Sequence, residues 1–415
     1  MKKLLLASVL ACASVSAFAA GFGLYEASAR GIGMGNGLVG STKDASANYY
    51  NPANLTEMTN VSVMVGMALI NPFCDVKVGG KMQAKMDAGW FPPPHAYLAA
   101  PITDDLVFGF GTYCEYGLGT KYDKDWLLNY DTTETTIQQF TMNPNLAYRI
   151  TEDWSVAVGA RMSYLTFENY KTPLNSPNFD HPLLGPTGPA YIRTHLEGDD
   201  FNCGYMLATQ YKITDDLKFG AVYRSRINHR VEGDIEAEKN GVVGNLAAPG
   251  DGDASAKLTL PASVVLGLNY DFTKRFRGGV AVTWTEWSSI DHIDFRLTKN
   301  GMGQDTSYKQ TLNWHDSWRV GFGFEYDITD AFTGRIGYSY DCDPSAEAHG
   351  TTMLPPGDRH IVGFGFGYSF LENWRVDLGY NFIMMESETR MIEGVRFQCD
   401  NSYSHIASAS VSYSF

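Results

Sequence analysis

The sequence predicts an all-β fold: a fourteen-stranded antiparallel transmembrane β-barrel of the bacterial outer membrane, with an N-terminal hatch (plug) inside its lumen. Three observations predict it. The chain opens with an export leader yet has no later apolar run long enough for a helical span. Its apolar residues recur with a period of two. Short polar turns alternate strictly with long connections.

The leader comes first. Lys2 and Lys3 make a positive start, Leu4 to Ala13 an apolar stretch, and Ala17-Phe18-Ala19 a small-residue cleavage site. Residues 1–19 therefore read as a Sec signal peptide, with Ala20 as the mature N-terminus. The mean hydropathy is −0.20, and 32 basic against 46 acidic residues leave a formal charge of −14. An acidic chain offers no basic patch for nucleic acid. The surplus is in 42 Gly, 24 Tyr, 23 Phe and 8 Trp, the composition of an aromatic-girdled barrel. Cys74, Cys114, Cys203, Cys342 and Cys399 follow the leader, scattered, odd in number and without a CxxC, so no metal site or disulfide framework is indicated. Unpaired wall or loop thiols are the default, and one pair, Cys74 with Cys399, could meet where the first and last strands close.

Residues 20–59 do not alternate. They are Gly- and Ala-rich, low in charge, and carry Asn51-Pro52-Ala53. Such a segment at the periplasmic end either dangles or folds into the lumen, and its compact composition favours a hatch. Proline cannot donate to a ladder and asparagine caps turns, so Asn51, Pro52 and Ala53 should anchor a bend.

The barrel is assigned to residues 60–415, with fourteen strands from 60–72 to 398–415, the fifth and sixth at 153–170 and 199–213. In Trp374 to Phe382 the outward set is Trp374, Val376, Leu378, Tyr380 and Phe382, with Arg375, Asp377, Gly379 and Asn381 between them. Val362 to Phe370 puts Gly363, Gly365 and Gly367 inside. Short turns recur as Ile102-Thr-Asp-Asp105, Ile150-Thr-Glu-Asp153, Ile213-Thr-Asp-Asp216 and Phe272-Thr-Lys-Arg275. Trp154 and Trp374 abut short turns, and Trp284, Trp287, Trp314 and Trp318 flank a long one, as two interfacial girdles would require. Alternation also points Arg161, His315 and Arg319 into the lumen. There they either meet a ligand carboxylate or pair with lumenal Asp and Glu. The third and fourth long connections are unusually apolar. Leu183, Leu184 and Tyr191, with Val242, Val243 and Leu246, either line a groove for an apolar ligand or pack together as a cap. The final strand, ending in Phe415, carries an aromatic face of the kind expected by the barrel insertion machinery.

Taken in order, Ala20-Gly21-Phe22, Gly31-Ile-Gly33, Asn51-Pro52-Ala53, Tyr116-Gly117-Leu118, Tyr223-Arg224-Ser225, Leu260-Pro261, Trp284-Thr-Glu-Trp287, Asp316-Ser-Trp318-Arg319 and Asp343-Pro344 resemble the FadL/TodX-type outer-membrane transporters of long-chain fatty acids and other hydrophobic compounds. Pro355 to Arg359 adds a departure, with Pro356 and Gly357 inside a family P-D-x-D-R element. His315 is another, standing where fatty-acid-binding members can carry Lys.

The resemblance implies passive uptake of a hydrophobic small molecule. Ligand would be caught between the third and fourth long loops and passed to a pocket at the hatch. It would then be released sideways through a gap in the third strand, with Phe22, Tyr116 and Gly117 at the gate. It implies no cofactor, no metal and no enzymatic apparatus, and a monomer surrounded by outer-membrane lipid and lipopolysaccharide. The alternatives are a general diffusion porin and a ligand-free structural or adhesin barrel. The scattered histidines, none in HExxH, argue against a barrel enzyme.

Overall fold

A computed structural model gives the fold and describes residues 21–87, 89–181, 185–240, 251–298 and 305–415. The predicted leader, residues 1–19, lies outside the described residues, as do Leu183, Leu184, Val242, Val243 and Leu246.

Fourteen antiparallel wall strands follow one another in chain order and close on themselves. The first four are Ser62–Val78, Pro94–Pro101, Leu106–Tyr113 continued by Gly117–Lys121, and Glu134–Arg149. The fifth and sixth are Trp154–His181 and Gly185–Lys212. The seventh to tenth are each interrupted: Leu217–Arg224 with Ile227–Asn240, Gly252–Leu260 with Ser263–Asp271, Phe276–Thr285 with His292–Thr298, and Thr306–Thr311 with Ser317–Asp327. Phe332–Asp341, Arg359–Phe370, Trp374–Met385 and Val395–Ser414 complete the wall. The first strand pairs with the last from Ser62↔Ser414 to Val78↔Phe397, so no ladder edge faces lipid at the seam. Cys74 and Cys399 sit at that seam in one apolar cluster, as free thiols.

Local chemistry explains the short turns. Thr103, Thr151, Thr214, Thr273 and Thr329 each accept, through Oγ1, the backbone N–H three residues on, at 2.9–3.1 Å. The recurring threonine is thus the turn's own cap. The alternation has the predicted register. Phe366, Leu378 and Tyr380 are exposed on the wall, while Asn381 and Asp377 are buried inside.

Two expectations fail here. The fifth and sixth strands run well beyond 153–170 and 199–213, and Tyr191 stands on the sixth strand, half-buried rather than on a loop. Its hydroxyl donates to Glu238 at 2.9 Å and Arg193 lies over its ring at 4.4 Å, so its surroundings are charged, not apolar. The missed signal is the alternation Tyr191, Arg193, His195 against Ile192, Thr194, Leu196, which is a strand pattern.

The hatch occupies the lumen. Its short helices span Ala29–Gly33 and Ala47–Tyr50, followed by a 3-10 turn at Pro52–Glu57, and nearly all of these residues are buried. Asn51 makes the predicted bend: its side chain accepts from Ala53 N–H at 3.0 Å, with Pro52 at the first turn position. The same amide donates to Val39 O at 2.8 Å and to Thr209 O on the sixth strand at 3.0 Å, tying bend to wall.

The inward glycines make room for the hatch backbone. A side chain at Gly220, Gly279, Gly321, Gly337, Gly363 or Gly379 would overlap the main chain of Val39, Gly37, Gly35, Gly35, Ile32 or Ala29 respectively. Charge fixes the orientation. Arg30 of the hatch pairs with Asp44 at 2.9 Å and with Glu325 of the tenth strand at 3.1 Å. Glu325 also holds Arg277 and Arg335, and Arg335 reaches Asp377 at 2.7 Å.

Two outcomes follow. Leu378→Arg, on the lipid face, should cost about 2–4 kcal/mol in chemical unfolding from bilayers if it lies near mid-membrane. Gly279→Val should leave a heat-modifiable barrel but unseat the hatch, read as a rise in ion conductance across planar bilayers; conductance at the wild-type level would show that the lane tolerates a side chain.

Candidate functional site

The third strand departs from a regular ladder on both of its sides. It pairs with the second strand as far as Ala96↔Thr112 and then loses its partner, because the chain there reads Phe91-Pro92-Pro93-Pro94. Three successive prolines have no N–H to donate. Phe91 instead bridges the first strand, exchanging both backbone hydrogen bonds with Ile70 at 2.9 Å. On its other side the third strand slips against the fourth: Tyr113 faces Thr141 and Gly117 faces Gln138, so Cys114 to Tyr116 oppose only Gln139 and Phe140. This is a bulge.

The hatch meets the groups so exposed. Leu24 N–H donates to Glu115 O at 2.7 Å, and Gly117 N–H donates to Phe22 O at 2.9 Å. Glu115 N–H finds the Gln139 side chain at 3.0 Å. Phe22 to Leu24 thus act as a substitute strand, bridged at Gly23↔Tyr116.

A cavity of about 430 Å³ lies over this break. Phe22 and Leu24 of the hatch, Phe91 to Pro94, Tyr116 to Gly119, and Ile361, Ile383 and Ile406 from the last three strands border it. Leu354 and Pro355, from the connection after the eleventh strand, border it too. So do Phe140 and Tyr164, whose side chains belong to the outer face of the fourth and fifth strands; Tyr164 is 43% exposed. Side chains of both wall faces therefore border one apolar space.

Its polar pole is small. Arg319 pairs with Asp341 at 3.3 Å and stacks over Tyr25 at 4.1 Å. Arg359 donates to Gly21 O at 3.1 Å. Burial pushes the hatch carboxyl of Glu26 above its ordinary range, against the pull of Arg319, and raises the Tyr25 hydroxyl to about 12.

Phe22 is the centre of an aromatic cluster, with ring centroids 5.7 Å from Tyr116, 5.1 Å from Trp287 and 6.1 Å from Trp314. Trp287 and Trp314 are buried inside rather than placed in a girdle, whereas Trp284 and Trp318 face one another on the wall, Trp318 at 49% exposure. A signal was present in the first pair: Trp284 and Trp287 are three apart, so a strand cannot show both on one face. For Trp314 the cause is the non-strand run 312–316, opened by Asn313 at φ 47°, which breaks parity.

The same break corrects His315. Alternation predicts it inward, but it is exposed outside the strands, its backbone N–H donating to Pro344 O at 2.8 Å. Phe22, Tyr116 and Gly117 do come together, and Arg319 joins the cavity. Arg161 is fully buried beside Glu115, at 2.5 Å, and Ser225 O, at 2.7 Å, and is not among the cavity's lining residues.

Glu115 is the group the sequence does not single out. It accepts from Arg161 and lies 3.2 Å from Arg224 Nε, holding two buried guanidinium groups beneath the break. Glu115→Gln should destabilise the barrel by about 3–5 kcal/mol, the scale for removing one partner of a buried ion pair, in urea unfolding. A change under about 1 kcal/mol, the range of solvated pairs, would contradict this role.

The comparisons with known proteins agree with this architecture. The long-chain fatty acid transport protein of Escherichia coli O6:H1 is 26% identical over 416 residues, covering 94% of this chain and 92% of its own. The 47 kDa outer membrane protein of Pasteurella multocida is 26% identical over 432 residues, covering 99% and 98%. Among solved structures, a Pseudomonas aeruginosa FadL homologue superimposes with a TM-score of 0.83 at 21% identity, over 95% of this chain and 100% of its own. The Pseudomonas putida toluene transporter TodX gives 0.76 at 20% identity, over 95% and 99%. The family model described as outer membrane protein transport protein (OMPP1/FadL/TodX) matches residues 10–415, so this barrel belongs to that family of outer-membrane transport proteins.

Proposed function

We propose that the protein carries hydrophobic small molecules, of the long-chain fatty acid or hydrocarbon type, across the outer membrane by passive diffusion. Ligand first meets the extracellular connections, rests in the cavity, and leaves sideways through the break in the third strand. One observation carries this reading: a single apolar cavity borders both faces of the wall where the second strand stops pairing with the third.

The physical case is a comparison of exits. Moving an apolar solute from such a cavity into water costs roughly 25 cal/mol per Å² exposed. A sideways exit into the lipid leaflet avoids that cost, and an axial exit through the hatch does not. Phe22 and Leu24 are then the hatch side of the gate, and Tyr116 and Gly117 its wall side. Asn51, Pro52 and Ala53 hold the hatch in register, and Arg319 supplies the polar pole. Arg161 belongs to the support, since Glu115 occupies it. Names of relatives point the same way, one being a long-chain fatty acid transport protein and another a toluene transporter. A general porin would need an open aqueous lumen, which the seated hatch disfavours; a ligand-free structural barrel would have no use for the cavity. Outer-membrane lipid and lipopolysaccharide surround the exposed aromatic wall, and the chain inserts as a monomer through the barrel machinery.

The test closes the gap covalently. Two residues beyond Ala96↔Thr112, a continued register would set position 94 opposite Cys114. Oxidised Pro94→Cys, paired with native Cys114, should lose uptake of radiolabelled hexadecanoate and regain it on reduction, with heat-modifiable migration retained throughout. Undiminished uptake in the fully cross-linked protein would rule out the lateral path.

A further inference from the structure

We infer that Phe91 and the three prolines after it form a fixed jamb on the second-strand side of the opening, and that the Phe91 ring sets how broad a molecule can pass. The inference deepens the lateral-exit reading and rests on it.

The observations are three. First, Phe91 and Pro93 turn their backbone groups to the first strand, which leaves Pro92 and Pro94 on the third-strand side, and neither has an N–H with which to re-pair there, so the gap cannot zip shut when the hatch shifts. Second, Phe91 is fastened from behind: it exchanges both backbone hydrogen bonds with Ile70, and Pro93 O accepts from Ala68 N–H at 3.1 Å. The lip is thereby part of the first strand's ladder and does not travel with the hatch. Third, two wall glycines face two different leaves. A side chain at Gly117 would run into Leu24 of the hatch, and one at Gly119 would fall within the Phe91 ring. The third strand leaves two side-chain-sized notches, one filled by a movable leaf and one by a stationary leaf.

The consequence is a division of labour. Displacing Phe22 and Leu24 opens the Gly117 notch, while Phe91 stays over Gly119 and caps the width. A molecule with an unbranched alkyl chain passes a slot with one stationary aromatic edge, whereas a fused multi-ring hydrocarbon meets that edge. Breadth selection therefore resides in the wall and permission to open resides in the hatch.

The experiment compares two probes, radiolabelled hexadecanoate and pyrene, in cells carrying wild-type protein, Phe91→Ala, Phe91→Trp or the oxidised Pro94→Cys protein, each checked for heat-modifiable migration. Phe91→Ala should raise the pyrene-to-hexadecanoate uptake ratio by about tenfold, the scale at which a pocket discriminates by small increments of room. Phe91→Trp should lower it, and Phe91→Leu replaces Phe91→Ala if the latter fails to fold. A ratio unmoved by these substitutions, with the cross-link still abolishing uptake, would overturn the jamb and leave the lateral exit standing. Undiminished uptake in the cross-linked protein would remove the lateral exit itself, and the jamb with it.

Discussion

Inside a bilayer every backbone N–H and C=O must be bonded by the protein, since no water reaches the hydrocarbon to do it. The closed ladder from Ser62↔Ser414 round to the third strand satisfies that demand almost everywhere. It lapses where Pro92 to Pro94 cannot donate and Cys114 to Tyr116 bulge away. Main-chain bonds from Phe22 and Leu24 complete the third strand there. A segment that must bond the wall at that height has to lie inside the barrel, and much of the lumen is arranged to keep it there.

The row of inward glycines belongs to that arrangement. A hatch backbone in van der Waals contact with the wall leaves no space for a Cβ at Gly279, Gly321 or Gly337. The buried charges belong to it as well. Glu325 is shared among Arg30, Arg277 and Arg335, and Asp377 takes the far side of Arg335. A buried pair contributes little net stability beside its desolvation cost, but breaking one is expensive, which penalises every alternative seating of the hatch. The lumen is thus polar where it anchors the hatch and apolar where the cavity opens.

Glu115 links the two regions. Its backbone takes the hatch hydrogen bond at the break, and its carboxylate holds Arg161 and Arg224 below. The guanidinium groups that sequence alone leaves open to a ligand are therefore divided by the fold. Arg161 is spent on structure, and Arg319 stays at the cavity's edge beside Asp341 and Tyr25.

Sequence by itself determined the wall. A period of two fixes which face of Trp374–Met385 meets lipid, and threonine-capped turns fix where the chain reverses. Both are local effects, written in neighbouring residues. Asn51-Pro52-Ala53 was equally legible, because a side-chain cap and a proline need only their neighbours to make a bend. The tertiary structure decided whatever depended on interrupted strands. Parity is lost across 312–316, so His315 went outward and Trp314 inward, and no count along the chain could say so. It also decided that Phe22, Tyr116, Trp287 and Trp314 meet, although Phe22 and Trp314 lie hundreds of residues apart, and that the proline run leading into the second strand lies beside a bulge on the third. Period and turn chemistry specify a surface; which residues converge behind it is set by barrel closure and by the backbone bonds the hatch must make.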